Sequence, residues 1–434
     1  MTATSRLYRA GLRTAHLAVP VLSMVSRKIA AGHAGRKTSL DAFRAWSVGR
    51  RDRTRPLVWF HASSVGEGLS ARSVVRLLRE RHPEWQVAFT FFSPSATAIA
   101  KNMTADIAGY VPYDIPGAVR HYLDALAPDA LVFSRGDIWP ELATQAHRRQ
   151  TLVGIIGGTV RPHSGRLGWP VRRLTRPGYE VVHLAGAVSE ADATRLGILG
   201  VSEDRVRILG DPRYDGVMEA VRSTSSDDPL LSVSAGAPTL VAGSTWPADE
   251  EVLLHAFAGL RNDYPAARLI LVPHQPTGSS LKKVEGLAQR LGCGGVTRLG
   301  AGPPRQWRIL VVDRVGVLAR IYGSGTMAYV GGGFGRAGLH SVIEPAAWGR
   351  PVLFGPRWME SRDARLLIRL GGGADLPKGR TPAIQRLTMY WRTWLDNEVA
   401  RQRVGQKARA IVEQELGAAA RCASLVQELV AGRS

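Results

Sequence analysis

A glutamate with a glycine on either side, standing where an apolar run gives way to a helical pattern, is a candidate general base. Glu67 has that setting in HASSVGEG, His61 to Gly68. Such a carboxylate would take the proton from an attacking hydroxyl, an effect worth roughly 10²–10⁴-fold. The same position also suits a carboxylate that only complements the positive end of a helix dipole, and both readings stand. Gly66 and Gly68 favour a tight loop that lets a substrate come close to the backbone. Ser64 in the same loop is read as acceptor-side or structural.

The second loop with chemical content is GGGFGRAGLHSVIEP, Gly331 to Pro345. A glycine-rich turn between a strand and a helix presents backbone N–H groups and a positive helix end, which together cradle a phosphate. No Gly-Lys-Ser/Thr follows, so it is not a Walker loop. Nor does it carry the G-x-G-x-x-G fingerprint of dinucleotide sites. A nucleotide sugar fits it better, with Gly332, Gly333 and Ser341 toward the phosphate and Glu344 toward ribose hydroxyls. Ser341-x-x-Glu344 also has the spacing of a capping box, although Pro345 sits poorly at a fourth helical position. Further candidates stand at expected strand ends: Ser244 and Thr245 in AGSTW, and His274 in LVPHQP. Arg213 in GDPRYD is read as a cation for the phosphate of a leaving group.

These loops need strands and helices to aim them. Apolar runs at 57–61, 87–92, 130–134, 152–157 and 181–188 read as buried strands, with helical patterns between most of them. After the polar stretch STSSDDP at 223–229, a second series follows at 239–244, 268–274, 308–313, 327–333 and 351–356. The expected fold is α/β, with two Rossmann-like domains facing across a cleft, at 56–222 and 230–383. Residues 384–434 are expected as C-terminal helices.

The 434 residues and 45% hydrophobic content exclude a disordered chain. Cys293 and Cys422 alone offer no disulfide framework, redox pair or zinc cluster. The formal charge of +21 calls for an anionic partner or surface. Residues 1–55 concentrate it, with 12 basic side chains against Asp41 and Asp52. Within them TAHLAVPVLSMVS, residues 14–26, has no charged side chain but is too short to span a bilayer, which takes about 20 residues. Residues 1–55 therefore read as an interfacial membrane anchor, the alternative being a basic leader or a buried first helix.

In order and spacing, HASSVGE, FFSPS, DIWPEL, GDPRYD, AGSTW and GGGFGRAGLHSVIEPAAWGRPVLFGP resemble the 3-deoxy-D-manno-octulosonic acid (Kdo) transferases of Gram-negative bacteria. The resemblance runs from Leu57 to Pro356. It implies a GT-B fold and an inverting glycosyltransferase at the cytoplasmic face of the inner membrane. CMP-Kdo would be the donor, and a phosphorylated glycolipid, the lipid A precursor lipid IVA, the acceptor, in lipopolysaccharide biosynthesis. Neither metal nor cofactor is implied. Glu67 takes the position of the family's base, Gly331 to Glu344 that of the donor loop, and Asp137 the place of a usual glutamate before Ile-Trp. Two departures stand out: Arg135 replaces a second acidic residue, and His274-Gln-Pro lacks the His-Pro-Glu-Arg run. The rival readings are a GT-B transferase or epimerase using a UDP-sugar, and a non-catalytic basic protein binding membrane or nucleic acid. No nucleic-acid-binding motif supports the last.

Overall fold

The computed structural model describes residues 3–301 and 307–432. The chain divides into two units, Met1–Gly216 with Glu415–Ser434, and Val217–Gln414. Each is built on one parallel sheet, and two parallel-sheet α/β units are what the alternating pattern predicts.

The first sheet contains β1 (Leu57–Ala62), β2 (Gln86–Phe91), β3 (Ile107–Tyr110), β4 (Ala130–Ser134), β5 (Leu152–Gly158), β6 (Leu184–Ala187) and β7 (Val206–Ile208), in the order β3-β2-β1-β4-β5-β6-β7. Helices cover both faces, so β1, β2 and β4 are buried along their whole length and read as unbroken apolar runs. The chain winds outward in opposite directions from β1 and β4, which pair directly with Val58 opposite Ala130 and His61 opposite Phe133. That reversal opens a crevice at the carboxyl ends of the two strands, where ligands bind in open α/β sheets.

The second sheet contains β8 (Thr239–Thr245), β9 (Arg268–Pro273), β10 (Val296–Arg298), β11 (Ile309–Val311), β12 (Met327–Val330), β13 (Val352–Phe354) and β14 (Gly373–Asp375), in the order β10-β11-β9-β8-β12-β13-β14. Here the reversal falls between β8 and β12. Glu67 follows β1 and Asp137 follows β4, while Ser244 and Thr245 end β8 and Gly331 follows β12. Both candidate loops thus stand at the switch points of their sheets.

The N-terminal residues correct one expectation. Residues 1–55 are not a single anchor but hold two helices, α1 (Ala3–Val25) and α2 (Arg27–Gly49). Phe43 and Trp46 of α2 are buried in the first unit's core with Leu57, Trp59 and Tyr122. Gly35 lies so close to the Tyr110 ring that a Cβ there would come within 2.2 Å of it. The basic residues of α2 hid this docking, and one of them, Arg36, is itself buried. α1 is tied down at its start: Tyr8 donates to Asp114 at 2.7 Å, and Arg9 makes a two-pronged contact with Glu141, both bonds 2.7 Å. Farther along, Leu17 is 78% and Met24 86% exposed. Among the described residues no helix is long and apolar enough to cross a membrane.

The stretch 384–434 also divides. Helices Arg380–Asp396 and Glu398–Gln414 belong to the second unit, but Ala418–Ala431 returns to the first. Cys422, Val426 and Leu429 pack there with Val58, Phe60 and Val74. Asp215 fixes the return by accepting hydrogen bonds from the backbone of Gly417 (2.7 Å) and Ala419 (2.9 Å).

Candidate functional site

Glu67 lies in the first turn of α3 (Val65–Arg81), directly after β1. Its Oε2 accepts the N–H of Ser64 at 3.1 Å and that of Ser63, so the carboxylate does cap the helix. Among the described residues Oε1 has no hydrogen-bond partner. Oε2 thus meets the helix-end reading, and the base reading, as an expectation, would fall to Oε1. Burial pushes the Glu67 carboxyl up to about 7, aided by the charge of Asp137 and opposed by the Ser63 and Ser64 N–H groups and by Arg135. A base with that affinity is matched to neutral pH.

Its surroundings are braced from behind. Ser134, the last residue of β4, donates through Oγ to the Glu67 carbonyl at 2.8 Å. His61 is buried, and burial drops it to about 3, so the imidazole is neutral. Its ring nitrogens meet Thr90 Oγ1 at 3.0 Å and Ser63 Oγ at 3.2 Å, and the Trp139 indole N–H also reaches Ser63 Oγ at 3.4 Å. Ser64 is the exposed N-cap of α3. Asp137 is half-exposed, with Arg166 Nη1 at 3.7 Å.

Arg213 falls in the first unit, at the start of helix Arg213–Ser223. Its Nη2 is 2.6 Å from Asp211, and Arg135, in a left-handed conformation at φ 63°, reaches the same carboxylate at 3.4 Å. Burial opposes the charge on Asp211, yet the two guanidiniums hold it down to about 2. The basic departure at 135 thus shares a buried carboxylate with Arg213.

In the second unit, Gly331 and Gly332 serve close backbone packing. A Cβ on Gly331 would lie 2.3 Å from the Ser244 carbonyl oxygen, and one on Gly332 (φ 92°) 2.1 Å from that of Gly338. Their N–H groups, read from sequence as open to phosphate, are taken internally. Gly331 donates to Gly243 at 2.9 Å and Gly332 to Asp249 at 2.9 Å. Asp249 is fully buried and also accepts from Tyr329 Oη (2.7 Å) and the Trp246 N–H (2.9 Å). Gly333 packs against Gly355.

Thr245 donates through Oγ1 to Glu250 at 3.0 Å, and burial raises that carboxyl to about 7. His274 stacks on Trp246 (4.9 Å between ring centres) and on His340 (4.4 Å), and the Trp246 indole donates to His340 Nε2 at 3.1 Å. Ser244, Thr245, His274 and the glycines are therefore gathered at one strand end, together with Trp246, Asp249, Glu250 and His340. Sequence reasoning missed those four, although an Asp two residues after the proline of WPAD is a helix-start signal. The capping box at Ser341 does not form: Val342 is the N-cap of the short helix Ile343–Ala347, and Glu344 lies half-buried in its first turn.

Residues 39–216 match the family model of 3-deoxy-D-manno-octulosonic-acid transferase (kdotransferase). The 3-deoxy-D-manno-octulosonic acid transferase of Chlamydia trachomatis is 28% identical over 83% of each chain. That of Haemophilus influenzae is 23% identical over 85% of this chain and 86% of its own. The chain is a glycosyltransferase. Its likeness to the Kdo transferases, carried first by the ordered motifs, holds over most of its length. Among solved structures, the transferase is similar in fold to a UDP-GlcNAc 2-epimerase from Neisseria meningitidis bound to UDP-GlcNAc. That match has a TM-score of 0.58 at 14% identity and covers 83% of this chain and 99% of the other.

Proposed function

We propose that the protein transfers Kdo from CMP-Kdo to a sugar hydroxyl of a phosphorylated glycolipid, lipid IVA, with inversion at the anomeric carbon. The observation that carries this reading is the Glu67 carboxylate in the first turn after β1, raised to about 7 and held through Oε2 by the Ser63 and Ser64 N–H groups. Glu67 Oε1 takes the proton of the acceptor hydroxyl as that oxygen bonds to the anomeric carbon of Kdo. The bond from that carbon to the phosphate oxygen breaks on the opposite face, and CMP departs with the electron pair. Arg213 and the first turn of its helix offset charge on the departing phosphate. Ser244, Thr245, His274, Ser341 and Glu344 hold the nucleotide, while Gly332 and Gly333 give the loop the shape that it needs. Asp137 lies on the acceptor side with Ser64.

The anchoring role narrows to α1, whose exposed Leu17, Val21, Met24 and Val25 accompany Arg6 and Arg13. A helix with that composition lies in the interface and is drawn to anionic headgroups. It would hold the enzyme at the cytoplasmic face of the inner membrane, where the glycolipid acceptor resides.

Equilibrium binding of nucleotides tests the donor. CMP should displace labelled CMP-Kdo at concentrations where UDP does not. Preferential displacement by UDP would move the assignment to a UDP-sugar enzyme, the reading that the epimerase-like fold keeps in view.

A further inference from the structure

We propose that Phe92 and Trp139 form a platform that stacks on the pyranose ring of the acceptor sugar beside Glu67. This rests on the transferase reading above and deepens it. Phe92 follows β2 and is 39% exposed; Trp139 follows β4 and is half-buried. Their ring centres are 5.2 Å apart at an interplanar angle of 52°.

Both rings are held rigid from behind. The Arg36 guanidinium sits over the Phe92 ring at 4.2 Å and donates through Nη2 to the Phe92 carbonyl at 3.1 Å. The same guanidinium lies 5.3 Å from the Tyr110 ring and 4.7 Å from that of Tyr113. Its Nη1 donates to the Gly32 carbonyl at 2.8 Å and its Nε has no hydrogen-bond partner among the described residues, so a buried cation ties the half-exposed Phe92 to α2. Trp139 meets the edge of the His61 ring at 5.4 Å and donates to Ser63 Oγ. Ser63 in turn donates its N–H to the base. The platform is therefore one residue removed from the proton acceptor.

The surroundings select the occupant. Ser63 Oγ takes the Trp139 indole N–H, Ser93 follows Phe92 and Asp137 stands two residues before Trp139 in the chain; the Ser93 N–H donates to the Ser63 carbonyl at 3.1 Å, and the Ser93 and Ser95 hydroxyls meet at 2.8 Å. A small apolar surface with a hydroxyl and carboxylate rim is ill suited to an acyl chain, which would leave those polar groups without water. It is complementary to a sugar ring. The positively polarised C–H face lies on the negative face of the π-systems, and the ring hydroxyls reach the rim.

Saturation-transfer NMR and steady-state kinetics test the platform. The probes are the unacylated β-1,6-linked glucosamine disaccharide bisphosphate and, in a separate arm, myristate. The disaccharide should receive saturation from the protein's aromatic protons in the absence of donor, and Phe92→Ala or Trp139→Leu should abolish that transfer. The same variants should raise the acceptor KM about tenfold and leave the KM for CMP-Kdo within about twofold, while Phe92→Tyr and Trp139→Phe keep most acceptor affinity. Aromatic saturation of myristate but not of the disaccharide would overturn the proposal. So would an unchanged acceptor KM in the folded Phe92→Ala protein. Failure of CMP-Kdo to act as donor, with aromatic transfer to the disaccharide intact, would sink the donor assignment and spare the platform.

Discussion

Glu67 as the proposed base would divide its two oxygens between structure and chemistry, and that division makes the proposal testable without unfolding the protein. Glutamine keeps a carbonyl oxygen that accepts the Ser63 and Ser64 N–H groups, so Glu67→Gln should retain the start of α3. It cannot accept a proton. Turnover should fall by roughly 10²–10⁴-fold with the KM for donor unchanged; full activity in this variant would remove the assignment of the base. The raised carboxyl also fixes the pH response. The base works only when ionised, so kcat/KM should fall as pH drops through about 7. Asp137 pushes the group up and Arg135 pulls it down. The acid limb should accordingly move to lower pH in Asp137→Asn and to higher pH in Arg135→Gln, as pH-rate profiles of the two variants would reveal.

At the scale of elements, α1 is pinned by its first turns. Glu141 is buried and accepts both Arg9 prongs and the Gln145 amide at 2.7 Å. Removing the cation leaves an uncompensated buried carboxylate. Arg9→Met should destabilise the first unit by about 3 kcal/mol and raise amide exchange along α1, whereas an unchanged unfolding midpoint would mean that α1 is held by other contacts. The helix also shows where sequence reading reached its limit. Central strands such as LVWFH and ALVFS are plain in the sequence because burial on both faces demands continuous apolar residues. β3, β7, β10 and β14 are not, since each is a three- or four-residue edge or near-edge strand with half-buried positions. Arg36 reads as a surface cation because nothing local reveals the three aromatic rings, 56 to 77 residues later, that enclose it. A longer separation, 202 residues from Asp215 to Gly417, hid the return of Ala418–Ala431 to the first unit. Glu67 was legible because its spacing to β1 is local. Asp249 acts on a glycine 83 residues away and was not.

For the whole molecule, the proposed anchor draws on the +21 charge and the exposed face of α1. Sedimentation with vesicles containing phosphatidylglycerol should recover the protein, and neutral vesicles or raised salt should weaken that recovery. Leu17→Ser with Met24→Ser should lower it about tenfold while leaving CMP-Kdo binding in solution intact. Equal recovery on neutral and anionic vesicles would contradict the electrostatic part of the anchor.

The transfer itself admits one direct measurement. Purified protein incubated with CMP-Kdo and lipid IVA should release CMP, and mass spectrometry of the glycolipid should register the added mass of Kdo, with no such gain for Glu67→Gln. A glycolipid of unchanged mass in the presence of folded, CMP-Kdo-bound protein would contradict the assignment of both acceptor and reaction.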